Sequence, residues 1–185
     1  KIDEAVKFVS PVSGKIIEIR RGEKRVILEI RIQADAQDVF VEHGAKNLSE
    51  MSGDQVKAHL LASGCWPFIK QRPYDVVANS ADTPKSIFIS AYSSAPLSSD
   101  VEVALKDKLA SFQAGVTALS KLTTGKVHLS VNGKGNSIFS SVSGVELHKV
   151  FGPHPAGNVG VQISKIDPIN AGDRVWVVAP QDVAI

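Results

Sequence analysis

The feature that most constrains this chain is a change of hydrophobic period along it. Val26, Leu28, Ile30 and Ile32 alternate with Arg25, Glu29 and Arg31, the period-two pattern of a half-buried strand. Farther on, Leu105, Leu109, Phe112, Val116 and Leu119 recur at alternating spacings of four and three, which draws one apolar stripe along a helix predicted over about 101–122. From about residue 50 onward the two patterns interleave. Ile87-Phe88-Ile89 reads as a buried strand, and Val127, Leu129 and Val131 alternate in another. A further strand is predicted near 145–150, a helix near 155–166 and a strand at Arg174-Val175-Trp176-Val177-Val178. Strands separated by helices predict an α/β domain with a mainly parallel sheet.

One helix announces both its ends. Ser52 and Gln55 stand at capping-box spacing, Met51 and Val56 at the positions of a hydrophobic staple, and Gly64 where a C-terminal cap belongs. Before it, Phe8-Val9-Ser10-Pro11-Val12-Ser13-Gly14 leads into Lys15-Ile16-Ile17-Glu18-Ile19-Arg20, and Arg21-Gly22-Glu23 supplies a turn to the next strand. This small β unit, roughly residues 7–33, has too little apolar face to stand alone and is expected to pack on something else or to belong to an incomplete barrel. Residues 33–47 read as a connection.

Composition narrows the function classes. The chain has 185 residues and a net charge of only +2, which gives no electrostatic case for nucleic acid or a membrane surface as partner. A single cysteine, Cys65, excludes an internal disulfide and any thiolate cage. No apolar run approaches the ~18 residues that span a bilayer. The first residues, Lys1-Ile2-Asp3-Glu4, lack the apolar stretch of a signal peptide and an initiator methionine, so the expectation is a longer protein cut at this point.

Familiar catalytic motifs are missing. The histidines at 43, 59, 128, 148 and 154 include no pair at the i, i+4 spacing of a helical metal site, so no metal is expected, and His128, opposite Val127 and Val131, reads as a solvated surface histidine. Thr124-Gly125-Lys126 lacks the earlier glycine and the helix of a phosphate-binding loop, and Gly133-Lys134-Gly135-Asn136-Ser137 lacks the third glycine of a dinucleotide fingerprint. No cluster of carboxylates suggests a sodium site.

Two loops carry chemistry. In Phe151-Gly152-Pro153-His154-Pro155-Ala156-Gly157-Asn158-Val159-Gly160, a strand leads into a helix start where free N–H groups could dock a phosphate or carbonyl; the competing reading is a tight crossover, which residue types alone favour. In Gly64-Cys65-Trp66-Pro67-Phe68-Ile69-Lys70-Gln71-Arg72-Pro73-Tyr74, aromatics beside Lys70 and Arg72 could hold a planar ring, or Trp66 and Phe68 could plug the core, the reading that burial statistics favour.

Taken together, Phe8–Gly14, Leu60-Leu61-Ala62-Ser63-Gly64-Cys65-Trp66 with Arg72-Pro73, and Gly152–Gly160 resemble the family of A subunits of the sodium-translocating NADH:quinone oxidoreductase. That family is itself similar to the C subunit of the Rnf complex and the flavin-carrying subunit of respiratory complex I. The resemblance implies a partial barrel-sandwich, biotinyl-like β segment with its linker over 1–48, and a Rossmann-like α/β domain of the complex I flavoprotein type over 49–185. It also implies partners among the other subunits of that complex, notably the membrane-embedded ones, docking on the cytoplasmic side of the bacterial inner membrane, and association with ubiquinone.

In the flavin-carrying relatives a glycine-rich loop after the first helix cradles the flavin phosphate. Here Cys65-Trp66-Pro67-Phe68-Ile69 fills that place, Ala91-Tyr92-Ser93-Ser94-Ala95-Pro96 lacks the relatives' carboxylates, and Gly157-Asn158 replaces paired glutamates. The expectation is therefore a fragment with no bound cofactor, neither flavin mononucleotide nor NADH, inactive by itself within a sodium-pumping translocase. A candidate quinone pocket is formed by Trp66, Phe68, Arg72, Gly152, Pro153, His154 and Gly157. The alternatives are a flavin-binding electron-transfer protein with a modified cradle and a ligand-free assembly scaffold.

Overall fold

The computed structural model describes residues 3–185. The chain divides into two compact units, Phe8–Ala45 and a larger one made by the residues before it together with Lys46–Ile185. The smaller unit is an antiparallel hairpin, β1 (Gly14–Arg21) against β2 (Ile27–Ala34), with register irregularities between Ile16 and Glu18 and between Arg20 and Arg21. Lys24 and Arg25 make its turn with positive φ, rather than Gly22. The half-burial predicted for β2 is not found: Leu28 is 63% exposed, Ile30 is exposed too, and the partly covered residues are Glu29 and Ile32, one from each face; every residue of β1 is exposed. A two-stranded ribbon has no opposing layer of its own, so alternation makes the strand without covering it.

The larger unit is mixed α/β, built on a six-stranded, mostly parallel sheet. After α1 (Gly53–Ala62) come two short strands, β3 (Lys70–Arg72) and β4 (Val76–Val77), then β5 (Ser86–Ser90). Two helices, α2 (Val101–Leu105) and α3 (Leu109–Ser120), lead to β6 (Val127–Asn132) and β7 (Glu146–Val150). The chain closes with α4 (Val159–Ile166), β8 (Val175–Val178) and α5 (Pro180–Val183). The strand order is β4-β3-β8-β5-β6-β7. β8, β5, β6 and β7 run parallel, and β3 is antiparallel to both its neighbours. β3 and β4 are missing from the sequence expectation because three polar residues and two valines are too few for a period to register.

The predicted caps are present. Gln55 donates its backbone N–H to Ser52 Oγ at 3.3 Å while Gln55 Oε1 accepts from the Ser52 N–H at 2.8 Å. Gly64 has φ +75°, and the Cys65 N–H reaches back to the Leu60 carbonyl at 3.0 Å, the long closing bond of a glycine-terminated helix. The helix expected over 101–122 is broken between Leu105 and Leu109, yet Leu105, Phe112, Val116 and Leu119 all remain buried, so the apolar stripe continues across the break.

Alternation in β5, β6 and β8 splits the core in two. Ile87, Ile89, Val127, Leu129, Val131, Trp176 and Val178 pack on one face with residues of α1, α2, α3 and α5; Phe88 and Val175 pack on the other with Ile163 of α4. Covering both faces corrects the reading of His128. It is 4% exposed, because β6 is an interior strand and both of its sides lie under helices or neighbouring side chains.

Candidate functional site

The loops that leave the carboxyl ends of the parallel strands gather into one region, the usual place for a ligand in an open α/β sheet. The segment after β5 bends back on itself, Ser90 Oγ donating to the Tyr92 carbonyl at 3.1 Å. It meets the loop after β7 at three points. The Tyr92 hydroxyl donates to the Gly152 carbonyl at 3.4 Å, the Gly157 N–H donates to Ser94 Oγ at 2.8 Å, and Ser94 Oγ lies 3.3 Å from His154 Nδ1. A Cβ on Gly157 would fall 2.2 Å from the Ser94 nitrogen, so this approach requires glycine. Beside the β5 loop is a polar cavity of about 340 Å³ whose lining includes Tyr92, Ser93, Ser98, Asp100, Lys134 and Asn136.

The N–H cluster expected at the 152–160 loop is largely consumed by the chain itself. Ala156 donates to the Pro153 carbonyl at 2.9 Å, Asn158 to that of Pro155 at 2.8 Å, and Gly157 to Ser94. His154 and Pro153 are exposed, and Phe151 at the loop entrance is 70% exposed. The geometry matches the tight crossover more than an anion cradle.

Trp66, Phe68 and Arg72 take separate roles. Trp66 is fully buried, donates its indole N–H to the Ala78 carbonyl at 2.8 Å and meets Trp176 edge-on at a centroid distance of 5.4 Å. Phe68 is exposed, and Arg72 pairs with Asp75 at 3.4 Å. Trp66 is thus a core side chain with no face left for a ring. β3, which carries Arg72, and β7, which leads into the 152–160 loop, stand four strand steps apart, about 19 Å at the usual spacing. The seven candidate residues therefore divide into two groups, and the loop group finds its neighbours in Tyr92 and Ser94.

The place of a flavin cradle can be tested on the same turn. Trp66–Phe68 is a 3₁₀ turn in which the N–H groups of Cys65, Phe68 and Ile69 go to the carbonyls of Leu60, Cys65 and Trp66. Pro67 has no N–H to offer. A phosphate there would find almost no free donors, so these residues do not fit the group.

A second constellation was invisible to spacing arguments along one element. The parallel register sets His128 opposite Glu146 and Ser130 opposite His148, which brings His128, Glu146 and His148 to the α4 side of the sheet. His128 Nδ1 is 3.0 Å from His148 Nε2 and 3.5 Å from Glu146 Oε2, while His128 Nε2 faces Asp167 Oδ2 at 4.0 Å. Burial holds the His128 imidazole below its ordinary pKa, with the neighbouring His148 adding to the effect. Glu146 is lowered chiefly by its bond from Lys126. Asp167 feels burial pushing it up, but bonds from Lys85 and Ser86 outweigh this and keep it low.

Comparison with known proteins decides the family. Residues 51–185 match the family model described as the NqrA second alpha/beta domain, and residues 1–35 match that of the NqrA N-terminal barrel-sandwich hybrid domain. The chain belongs to the NqrA family. Its relatives include proteins named as the A subunit of Na(+)-translocating NADH-quinone reductase from Histophilus somni (36% identical), Yersinia pestis (37%) and Glaesserella parasuis (38%). Each alignment covers 99% of this chain, but the chain spans only 41–42% of the length of these relatives. The hairpin therefore lies in the N-terminal NqrA module and the six-stranded sheet in the second one. Among the described residues no helix is long and apolar enough to cross a membrane.

Proposed function

We propose that this chain serves a Na(+)-translocating NADH-quinone reductase as a non-redox module of its A subunit, peripheral on the cytoplasmic side of the membrane. Its α/β domain is a Rossmann-like relative of the complex I flavoprotein domain whose flavin and NADH sites have degenerated. The observation that carries this reading is the turn at Cys65–Ile69. The N–H groups of Cys65, Phe68 and Ile69 are spent on the chain's own carbonyls, Pro67 has none, and Trp66 and Pro67 are buried where a phosphate would lie. The absence of carboxylates from Ala91–Pro96 supports it further. The module contributes to assembly with the other subunits, including the membrane-embedded ones.

A second reading, association with ubiquinone, is favoured by one specific arrangement. Exposed Phe151 adjoins a loop that presents His154, an apolar ring and an imidazole suited to a quinone carbonyl, and Tyr92 braces that loop through its bond to the Gly152 carbonyl. The adjacent cavity is polar and does not suit a deep apolar slot, so the contact proposed for the quinone is with the loop surface. The test is a titration of the chain with a water-soluble ubiquinone analogue, followed by thermal unfolding. A saturable rise in midpoint, abolished by His154→Ala and reduced by Tyr92→Phe, supports quinone association. An unchanged midpoint leaves assembly alone as the role.

A further inference from the structure

We propose that His128, Glu146 and His148 form a binding site for a divalent transition-metal ion of the zinc class, with one protein-free coordination position. Two neutral imidazoles and a carboxylate are a ligand set that such ions take, and three protein ligands leave a fourth corner of a tetrahedron for water. At metal–ligand distances of about 2.0–2.1 Å, tetrahedral ligand atoms stand about 3.3 Å from one another. Here the separations from His128 Nδ1 are 3.0 Å and 3.5 Å, and all three ligand atoms lie within 4.8 Å of one another. Small rotations of His148 and Glu146 on the edge strand β7 complete the corner, while His128 is held fixed by burial and by the Phe88 ring, 4.5 Å away centroid to centroid.

The surroundings are those of a metal ligand rather than of a packed histidine. The ring nitrogen of His128 that faces away from the cluster looks toward the Asp167 carboxylate, which is anchored by Ser86 Oγ at 2.7 Å and by the Lys85 ammonium. At 4.0 Å this is a charge contact rather than a hydrogen bond, and it favours the tautomer with the proton on Nε2, which leaves Nδ1 as the ligand. Ser130, on the same face and opposite His148, has a buried hydroxyl without a hydrogen-bond partner. Against the site stands Lys126, whose ammonium is ion-paired with Glu146 and must give way to the metal. That competition makes a signed prediction: removing Lys126 strengthens binding.

The 185-residue chain, stripped with a chelator, is titrated with zinc alone in competition with a chromophoric chelator, and folding of each variant is checked by circular dichroism. One equivalent is expected to bind. His148→Ala and Glu146→Gln each weaken it by about tenfold or more, Asp167→Asn weakens it by about tenfold through the imidazole it orients, and Lys126→Met tightens it severalfold. His59→Ala on α1 leaves the affinity unchanged. Absence of a stoichiometric site, or binding that His148→Ala and Glu146→Gln leave intact, overturns the proposal. Because these two side chains sit on an edge strand, their loss leaves the core in place, so a negative result is not a folding artefact.

Discussion

The hairpin β1–β2 and the central pair β5–β6 are both strand pairs rich in branched apolar residues, yet their surroundings are opposite. Ile87, Phe88 and Ile89 of β5 are fully buried, whereas all eight residues of β1 are exposed, as are Leu28 and Ile30 of β2. β5 lies between two parallel neighbours with helices on both faces, and the hairpin is a two-stranded ribbon. Alternation in sequence specifies the pleat, but burial comes from a second layer, and only the α/β unit carries its own. Stability should accordingly be concentrated in that unit.

Substitutions in the two regions put this contrast to the test. Phe112→Ala removes a fully buried ring packed 4.7 Å from that of Phe139 and is expected to cost about 3–5 kcal/mol in urea unfolding. Gly115→Ala places a methyl 1.8 Å from the Val183 carbonyl oxygen, forcing α3 and α5 apart, with an expected loss of about 1–3 kcal/mol. Ile30→Ala in the hairpin should change the same transition by less than about 0.5 kcal/mol. A cost near that of Phe112→Ala would mean that the hairpin is as tightly packed as the core.

The smallest effect is electrostatic. Burial raises the Asp182 carboxyl above its ordinary 3.8, against the pull of Lys70. Between 3.8 and the raised value the folded chain holds a proton that the unfolded chain has lost, so stability falls as pH rises through that window and stays lower above it. Asp182→Asn should therefore raise the unfolding midpoint slightly near pH 7 and not at all near pH 3.

Much of the α/β framework was legible. The capping box at Ser52 and Gln55, the Gly64 cap and the Leu105–Leu119 stripe are local patterns, and local patterns survive in a sequence. β3 and β4 were not legible because their lengths fall below any period. The site was harder still. The 152–160 loop stood out by its glycines and prolines, but Ser94, the partner of Gly157, lies 63 residues away and follows only from strand order. The cluster of His128, Glu146 and His148 depends on the register of two parallel strands, and a search for ligands spaced along one helix cannot find it. Trp66 was ambiguous for a different reason: an aromatic beside cations has the same composition whether it faces a ligand or the core.

Loss of the phosphate cradle in the turn after α1 is the central claim, and it can be measured directly. The experiment is equilibrium dialysis of the chain against flavin mononucleotide, read by flavin absorbance in the protein compartment. No retained flavin up to concentrations well above those that saturate flavoproteins is the predicted result. Saturable retention of one flavin per chain would contradict it.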